Sequence, residues 1–452
     1  MKEFWFIKLA IIAGAATTLA ACTAENESSP STSISQESIK VVQQTPIEFG
    51  TYMGEQAVTR AGYAGPINNV ATLADDNYEF GVFAYYTNNE NYAAAKTAGH
   101  ATPNFMYNQR IQGAVSATPG VYNWTYSPVK YWPNEFSTDK LSFFAYAPYV
   151  TGYAQTNATT VNGATWTPAE TVGITALSGN NYSGDPVITY AVAADPSQSV
   201  DLMYGVAAEN ITDGPVANNI TAGNPLIDLT KQSKDGVIKF NFKHALARLS
   251  FTIQGVFNST TFPSDDNVEE NTKITVQSVA INGANFYTSG ALNLNDGTWG
   301  SLSAAQAGMT INTYLNASIM DAGTDTDIEE GLFTNGSITG VTKTEVALGT
   351  GADYMIIPNV APSETSIASI TITYFVNTND PKLAKTYSRV KNVITCTFDT
   401  DILEDGNQPI SIVKGNAYNF KLKVGMTTVK VDASVSPWTT NNQEVWVPVN
   451  ED

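Results

Sequence analysis

His100 and His244 are the only two histidines among 452 residues. A Ser-His-Asp hydrolase would need one of them, and neither has a nucleophile-elbow motif beside it. His100 sits in the loop-like "TAGHATP" and His244 in "FKHALAR". Both read as structural or exposed histidines. The only cysteines are Cys22 and Cys396, so there is neither a disulfide framework nor a Cys- or His-based zinc cluster. Carboxylates are plentiful, as Asp75 and Asp76 and again as Asp325, Asp327, Glu329 and Glu330 in "DTDIEE". That run lacks the glycine and the spacing of an EF-hand loop, so any calcium binding there would be weak. A glycosidase needs two opposed carboxylates, and nothing in the sequence selects a pair. No cofactor motif is present. The residue inventory describes a protein that is not an enzyme.

Aromatic residues offer a different chemistry. Trp124, Tyr126, Tyr131 and Trp132 cluster in "YNWTYSPVKYWP". Exposed, they would stack on sugar rings; buried, they would fill a β-sheet core, the favoured reading.

Two further residues carry chemistry done to the chain rather than by it. Lys2 and Lys8 precede the apolar, small-residue stretch "LAIIAGAATTLAA", which ends in "LAAC" at residues 19–22. The stretch is too short and too weakly apolar for a good membrane span. Leu, two small residues and Cys form the pattern of a bacterial lipoprotein signal, with the Cys22 thiol taking the lipid. Residues 1–21 then form the signal peptide. Lipid on Cys22 anchors the chain to a membrane without crossing it. The polar "TAENESSPSTSISQES" that follows reads as part of a flexible tether over 22–45. Glu25 and Glu27 resemble the acidic export signal of surface lipoproteins in the Bacteroidetes.

Arg60 is the second such residue. It is one of four arginines, with Arg110, Arg248 and Arg389. No Lys or Arg separates it from Lys40 on one side or Lys96 on the other. In "AVTRAG" it stands between small residues, shortly after the strand-like "PIEFGTYMG". It reads either as a solvated loop charge or as a protease address, and its isolation favours the address.

The formal charge is −19, and residues 1–21 carry Lys2, Glu3 and Lys8, a net +1, so the chain from Cys22 onward carries −20. Such a field repels nucleic acid and anionic lipid, which excludes a nucleic-acid partner.

The elements that must position these residues are strands. Many short alternating runs are broken by Gly, Asn, Asp and Pro, and no segment holds a sustained helical period. Tyr418, Phe420, Leu422 and Val424 share one face of "NAYNFKLKVG"; Ile370, Ile372, Tyr374 and Val376 alternate in "IASITITYFV". "FGVFAYYT" (80–87) and "LSFFAYAPY" (141–149) are apolar on both faces and belong to covered strands. In "VIKFNFKHALARLSFTI" the apolar phase shifts from even (Ile238, Phe240, Phe242) to odd (Leu249, Phe251, Ile253) positions. A strand cannot change face without a bulge or a passage between sheets, so one is predicted within "KHALAR". Cys396, in the strand-like "NVITCTFDT", reads as a small buried residue.

"LAAC", "VTRAG", "FGVFAYYT", "LSFFAYAPY", "FKHALARLSFTI" and "VKGNAYNFKLKV" in this order resemble the fimbrillin family, subunits of the type V pili of Bacteroidales. The resemblance runs over most of residues 46–440. It implies an all-β chain of two transthyretin-like β-sandwich domains in tandem. We expect them at 46–300 and 301–452, with a boundary near Lys234 as the competing choice. It implies export as an outer membrane lipoprotein, cutting by an Arg-specific protease between Arg60 and Ala61, and a mature form in extracellular fimbriae. Cutting there removes "PIEFGTYMGEQAVTR" as the first strand of the first domain, and a strand from another subunit fills the groove. Val445, Val447 and Val449 alternate with Trp446 and Pro448 near the C-terminus. They read as a donor strand or as the last strand of their own domain. The partners implied are other fimbrial subunits and a host or bacterial surface ligand. The alternative function is a permanently anchored tip or anchor adhesin that binds glycan or a host protein.

Overall fold

Thr, Val, Ile and Tyr crowd the backbone into extended conformations, and Gly, Asn and Pro interrupt it often enough to keep the strands short. The computed structural model describes residues 45–52, 66–75, 78–115, 122–133, 138–151, 154–155, 160–161, 164–165, 172–211, 220–230, 237–255, 272–312, 346–347, 353–358, 367–379, 387–397, 411–424 and 429–438. In chain order the strands are β1 (Glu48–Tyr52), β2 (Phe80–Asn88), β3 (Met106–Val115), β4 (Tyr122–Thr125), β5 (Lys140–Ala147), β6 (Ala154–Gln155), β7 (Thr160–Val161), β8 (Ala164–Thr165), β9 (Gly173–Leu177), β10 (Val187–Ala191), β11 (Met203–Ala207), β12 (Leu226–Leu229) and β13 (Val237–His244). They continue with β14 (Ala247–Gly255), β15 (Thr272–Phe286), β16 (Ser289–Asn293), β17 (Trp299–Gly300), β18 (Gln306–Asn312), β19 (Val346–Ala347), β20 (Tyr354–Ile356), β21 (Ser369–Asn379), β22 (Tyr387–Thr397), β23 (Asn416–Val424) and β24 (Val429–Pro437). The chain is all-β; the α-helices α1 (Val70–Leu73) and α2 (Tyr92–Thr97) are too short to leave a periodic signal in the sequence. No helix among the described residues is long and apolar enough to cross a membrane.

The first sheet has the order β11-β13-β1-β4-β3-β2-β5-β12, and β5 also pairs with β11. The first half of β5 pairs with β12 through Leu141 and Phe143, and its end pairs with β11 through Tyr146 and Ala147. This second pairing closes the sheet on itself. The enclosed core is aromatic, with Phe49, Phe80, Phe143, Phe240 and Phe242 joined by Tyr126 and Trp132. On the outer surface Phe83, Tyr85, Phe144, Tyr146 and Tyr204 form a second core with Ile174, Ile188, Tyr190 and Leu292 of the sheet β17-β16-β10-β9-β6. Strand β5 is therefore buried along its whole length, and β2 over its first six residues, as their two-sided apolar pattern predicts. The two-stranded β7-β8 ladder stands apart from these sheets.

The phase shift in "KHALAR" is a passage between sheets. Strand β13 ends at His244 in the closed sheet, and β14 starts at Ala247 beside β23, β19 and β20. Ala245 and Leu246, between them, are fully buried. Their backbone is held by Ala245 N–H donating to the Leu202 carbonyl (2.8 Å) and by the Leu246 carbonyl accepting from Gly415 N–H (2.8 Å). Ile238, Phe240 and Phe242 consequently face the first core, and Leu249, Phe251 and Ile253 the third.

That third core lies between the sheet β19-β14-β23-β24, to which β20 adds, and the sheet β18-β15-β21-β22. Ile370, Ile372, Tyr374 and Val376 meet Tyr418, Phe420, Leu422 and Val424 there, as the alternation predicts. Strands β14 and β15 line this core although they precede Gly300, while β16 and β17 return to pair beside β10. Cys396 departs from expectation. It is half-buried, because β22 borders its sheet and packs only one face against the core. Burial still pushes its thiol pKa up.

Candidate functional site

β1, the first of the described strands, sits inside the closed sheet with a neighbour on each side. Alternation in "PIEFGTY" puts Ile47 and Phe49 on one face, and both are buried in the first core. β1 runs parallel to β13 over five residue pairs, from Glu48↔Val237 to Tyr52↔Asn241. On its other side it meets β4 antiparallel through Phe49↔Trp124. Phe49 stacks on Phe240 at 6.2 Å and 12°, and its ring meets Phe80, Tyr126 and Phe143 edge-on at 5.3–6.4 Å. The Tyr126 hydroxyl donates to the Ile47 carbonyl (2.8 Å), and Ile47 N–H donates to the Lys130 carbonyl (2.9 Å). Trp132 N–H donates to the Thr45 carbonyl (3.0 Å), extending the hold ahead of the strand.

The aromatic cluster that suggested sugar stacking therefore mostly builds this seat. Tyr126 and Trp132 are buried, and Trp124 packs against the core with its ring 4.9 Å from Phe80. Tyr131 alone of the four is exposed, and its backbone bridges Pro46.

A second feature lies where the chain resumes after the arginine segment. Ile67 N–H donates to Asp201 Oδ2 (2.9 Å), and Asp201 is fully buried against His244, with Nδ1 2.9 Å from the same oxygen. The His244 ring stacks flat on Trp438, with centroids 3.9 Å apart, and the Arg248 guanidinium lies over the same indole at 5.5 Å. Asp201 and Trp438 carried no sequence signal, because nothing local ties either to a histidine elsewhere in the chain.

His244 is thus a buried structural histidine. His100 is exposed beside Glu90, with Nε2 2.6 Å from the carboxylate. Arg110 pairs with the buried Glu79, and Arg248 lies 3.7 Å from Asp353. Arg60, Ala61, Cys22, Val445, Val447 and Val449 lie outside the described residues, as does "DTDIEE". Among the described residues no group of three or more His, Cys, Asp or Glu is placed to hold a metal ion.

Fold and site together define an all-β protein whose closed sheet includes β1, parallel to β13 and antiparallel to β4. The chain belongs to the fimbrillin-like family, whose model matches residues 59–438. Membership supports a fimbrial structural or adhesive role at the cell surface. A fimbrial protein from Bacteroides vulgatus has the same fold at 21% identity, covering 87% of this chain and 100% of its own, with a TM-score of 0.55. More distant are a proposed cell adhesion protein from Bacteroides uniformis (15% identity, 88% and 99% covered, TM-score 0.39) and the fimbrial anchor protein Mfa2 from Porphyromonas gingivalis (9%, 88% and 98%, 0.29). No curated protein matches the chain.

Proposed function

We propose that this protein is a fimbrial subunit exported as a lipoprotein on Cys22, cut between Arg60 and Ala61, and polymerised by strand donation. The division into two tandem transthyretin-like sandwiches belongs to the same reading. One observation carries it: β1 precedes Arg60, is paired on both sides, and fills an apolar seat with Ile47 and Phe49. Cutting after Arg60 frees that strand from everything but its non-covalent contacts. Its loss leaves the sides of β13 and β4 that face it unpaired, while β11 and β3 hold their other sides, and uncovers Phe80, Phe143 and Phe240. Such an edge is a template for an incoming strand. A donor must place apolar side chains at alternate positions, which Val445, Val447 and Val449 do. Each valine buried is worth about 1.5–3 kcal/mol.

Arg60→Ala tests the reading. The variant is expected to fold, to stay lipid-anchored and to form no filaments, because β1 keeps its own seat. Filaments of normal length would overturn it. The first residue of the mature chain, read by mass spectrometry on surface filaments, is expected to be Ala61. A chain that still begins at acylated Cys22 would favour the permanently anchored adhesin.

A further inference from the structure

Lys140 begins β5 and is buried, with 8% of its surface exposed. A buried ammonium requires strong partners. Its Nζ donates to the Asn89 carbonyl (2.9 Å) and to Asn91 Oδ1 (2.5 Å). Asn91 is the N-cap of α2, where an asparagine side chain ordinarily accepts from the helix's first amides. Here it makes no such bond. Its carbonyl is turned to Lys140 instead, and the electrophilic Cγ lies one bond of about 1.2 Å beyond that oxygen.

A carboxylate side chain lies beside this pair. Asp228 Oδ1 accepts from the backbone N–H of Tyr92 (2.7 Å), the residue next to Asn91. Asp228 holds a left-handed backbone (φ 56°) at the irregularity in the β12–β5 pairing, and its own N–H donates to Ser142 Oγ (3.0 Å). Left-handed φ is uncommon for a residue with a side chain. Burial raises the Asp228 pKa, and the hydrogen bond from Tyr92 and the charge of Lys140 lower it in part.

We propose that Lys140 and Asn91 form an intramolecular isopeptide cross-link, with Asp228 as the proton-transfer group. The ammonium of Lys140 passes a proton to the half-buried Asp228 carboxylate, which removes the buried charge of Lys140 together with its counter-charge. The free amine attacks Asn91 Cγ, and the Nζ–Cγ bond forms. Asp228 returns its proton to Asn91 Nδ2 and takes one from Nζ as the Cγ–Nδ2 bond breaks and ammonia leaves. No oxidant or co-reactant is required. The product is a secondary amide that holds the β2 end of the sheet to the start of β5, which pair as Asn88↔Lys140. The cross-link closes a loop across 49 positions of sequence, and a covalent closure of that kind constrains the unfolded chain.

Tryptic mapping of the purified full-length protein tests the proposal. Trypsin does not cut after an acylated lysine. The peptide spanning 131–231 is expected uncut at Lys140 and joined to the peptide spanning 61–96, with the summed mass lower by one ammonia. Lys140→Arg and Asn91→Ala are each expected to release 61–96, 131–140 and 141–231 as separate peptides. Asp228→Asn, which keeps the side chain's size, is expected to give the same unlinked peptides from a protein with an unchanged fold by circular dichroism. Separate 61–96 and 131–140 peptides from the unaltered protein would overturn the cross-link. Full linkage in Asp228→Asn would overturn the role given to Asp228.

Discussion

The closed first sheet and the open sandwich around the third core solve the sheet-edge problem in opposite ways. In the first, β5–β11 pairing completes the ring, and β1 has neighbours on both sides. In the second, β22 and β24 each pair along one side only among the described residues. β22 carries Lys391 and two exposed valines, Val390 and Val393, on this bordering strand. A charge on an edge strand discourages pairing with other chains. The sandwich therefore tolerates its edges permanently. Around the ring only β12 pairs along one side among the described residues, so release of β1 would open a new edge between strands that are now joined.

The cores differ in the same sense. Phe49 reaches across the first core to four aromatic rings, so release of β1 would remove a central packing element. The third core mixes aliphatic side chains with aromatic ones, among them the Phe251–Phe420 stack (5.2 Å), and its residues all lie after Arg60.

Matched truncations in the two cores give the largest test of that contrast. Phe49→Ala and Phe420→Ala should each cost about 3–5 kcal/mol in the intact chain, read by denaturant unfolding. After cutting at Arg60 and release of the N-terminal peptide, Phe420→Ala should keep its cost and Phe49→Ala should lose it. A Phe49→Ala penalty that survives the cut would place β1 in the mature fold and break the comparison.

A smaller effect sharpens it. Tyr126→Phe keeps the ring and removes the hydroxyl that holds the Ile47 carbonyl, at a cost of about 1–1.5 kcal/mol. Hydrogen exchange should quicken in the β1–β13 ladder and stay unchanged in β21–β22. Equal acceleration in both sheets would mean that the two regions unfold as one.

The smallest effect is expected at the open edge. Val393 is 60% exposed, so Val393→Thr should shift stability by no more than about 0.5 kcal/mol in intact or cut chain. A loss several times larger would show that the β22 face is covered in solution.

Local pattern determined much of this molecule. Side chains alternate faces along a strand, so "NAYNFKLKVG" states which residues are buried without knowledge of their partner. Two-sided apolarity in "FGVFAYYT" and "LSFFAYAPY" announced strands covered on both faces, and the shift within "KHALAR" announced a bulge or a passage between sheets, of which the fold chose the passage. Pairing partners were another matter. Alternation does not say that β1 runs parallel to β13, that β5 meets β11 to close the ring, or that β16 returns beside β10. Those choices depend on contacts between residues far apart in the chain, whose energies no short window contains. The same holds for polar groups. Asp201, His244 and Trp438, or Asn91, Lys140 and Asp228, are unremarkable in sequence and acquire their chemistry only when folding removes water and leaves them one another as partners.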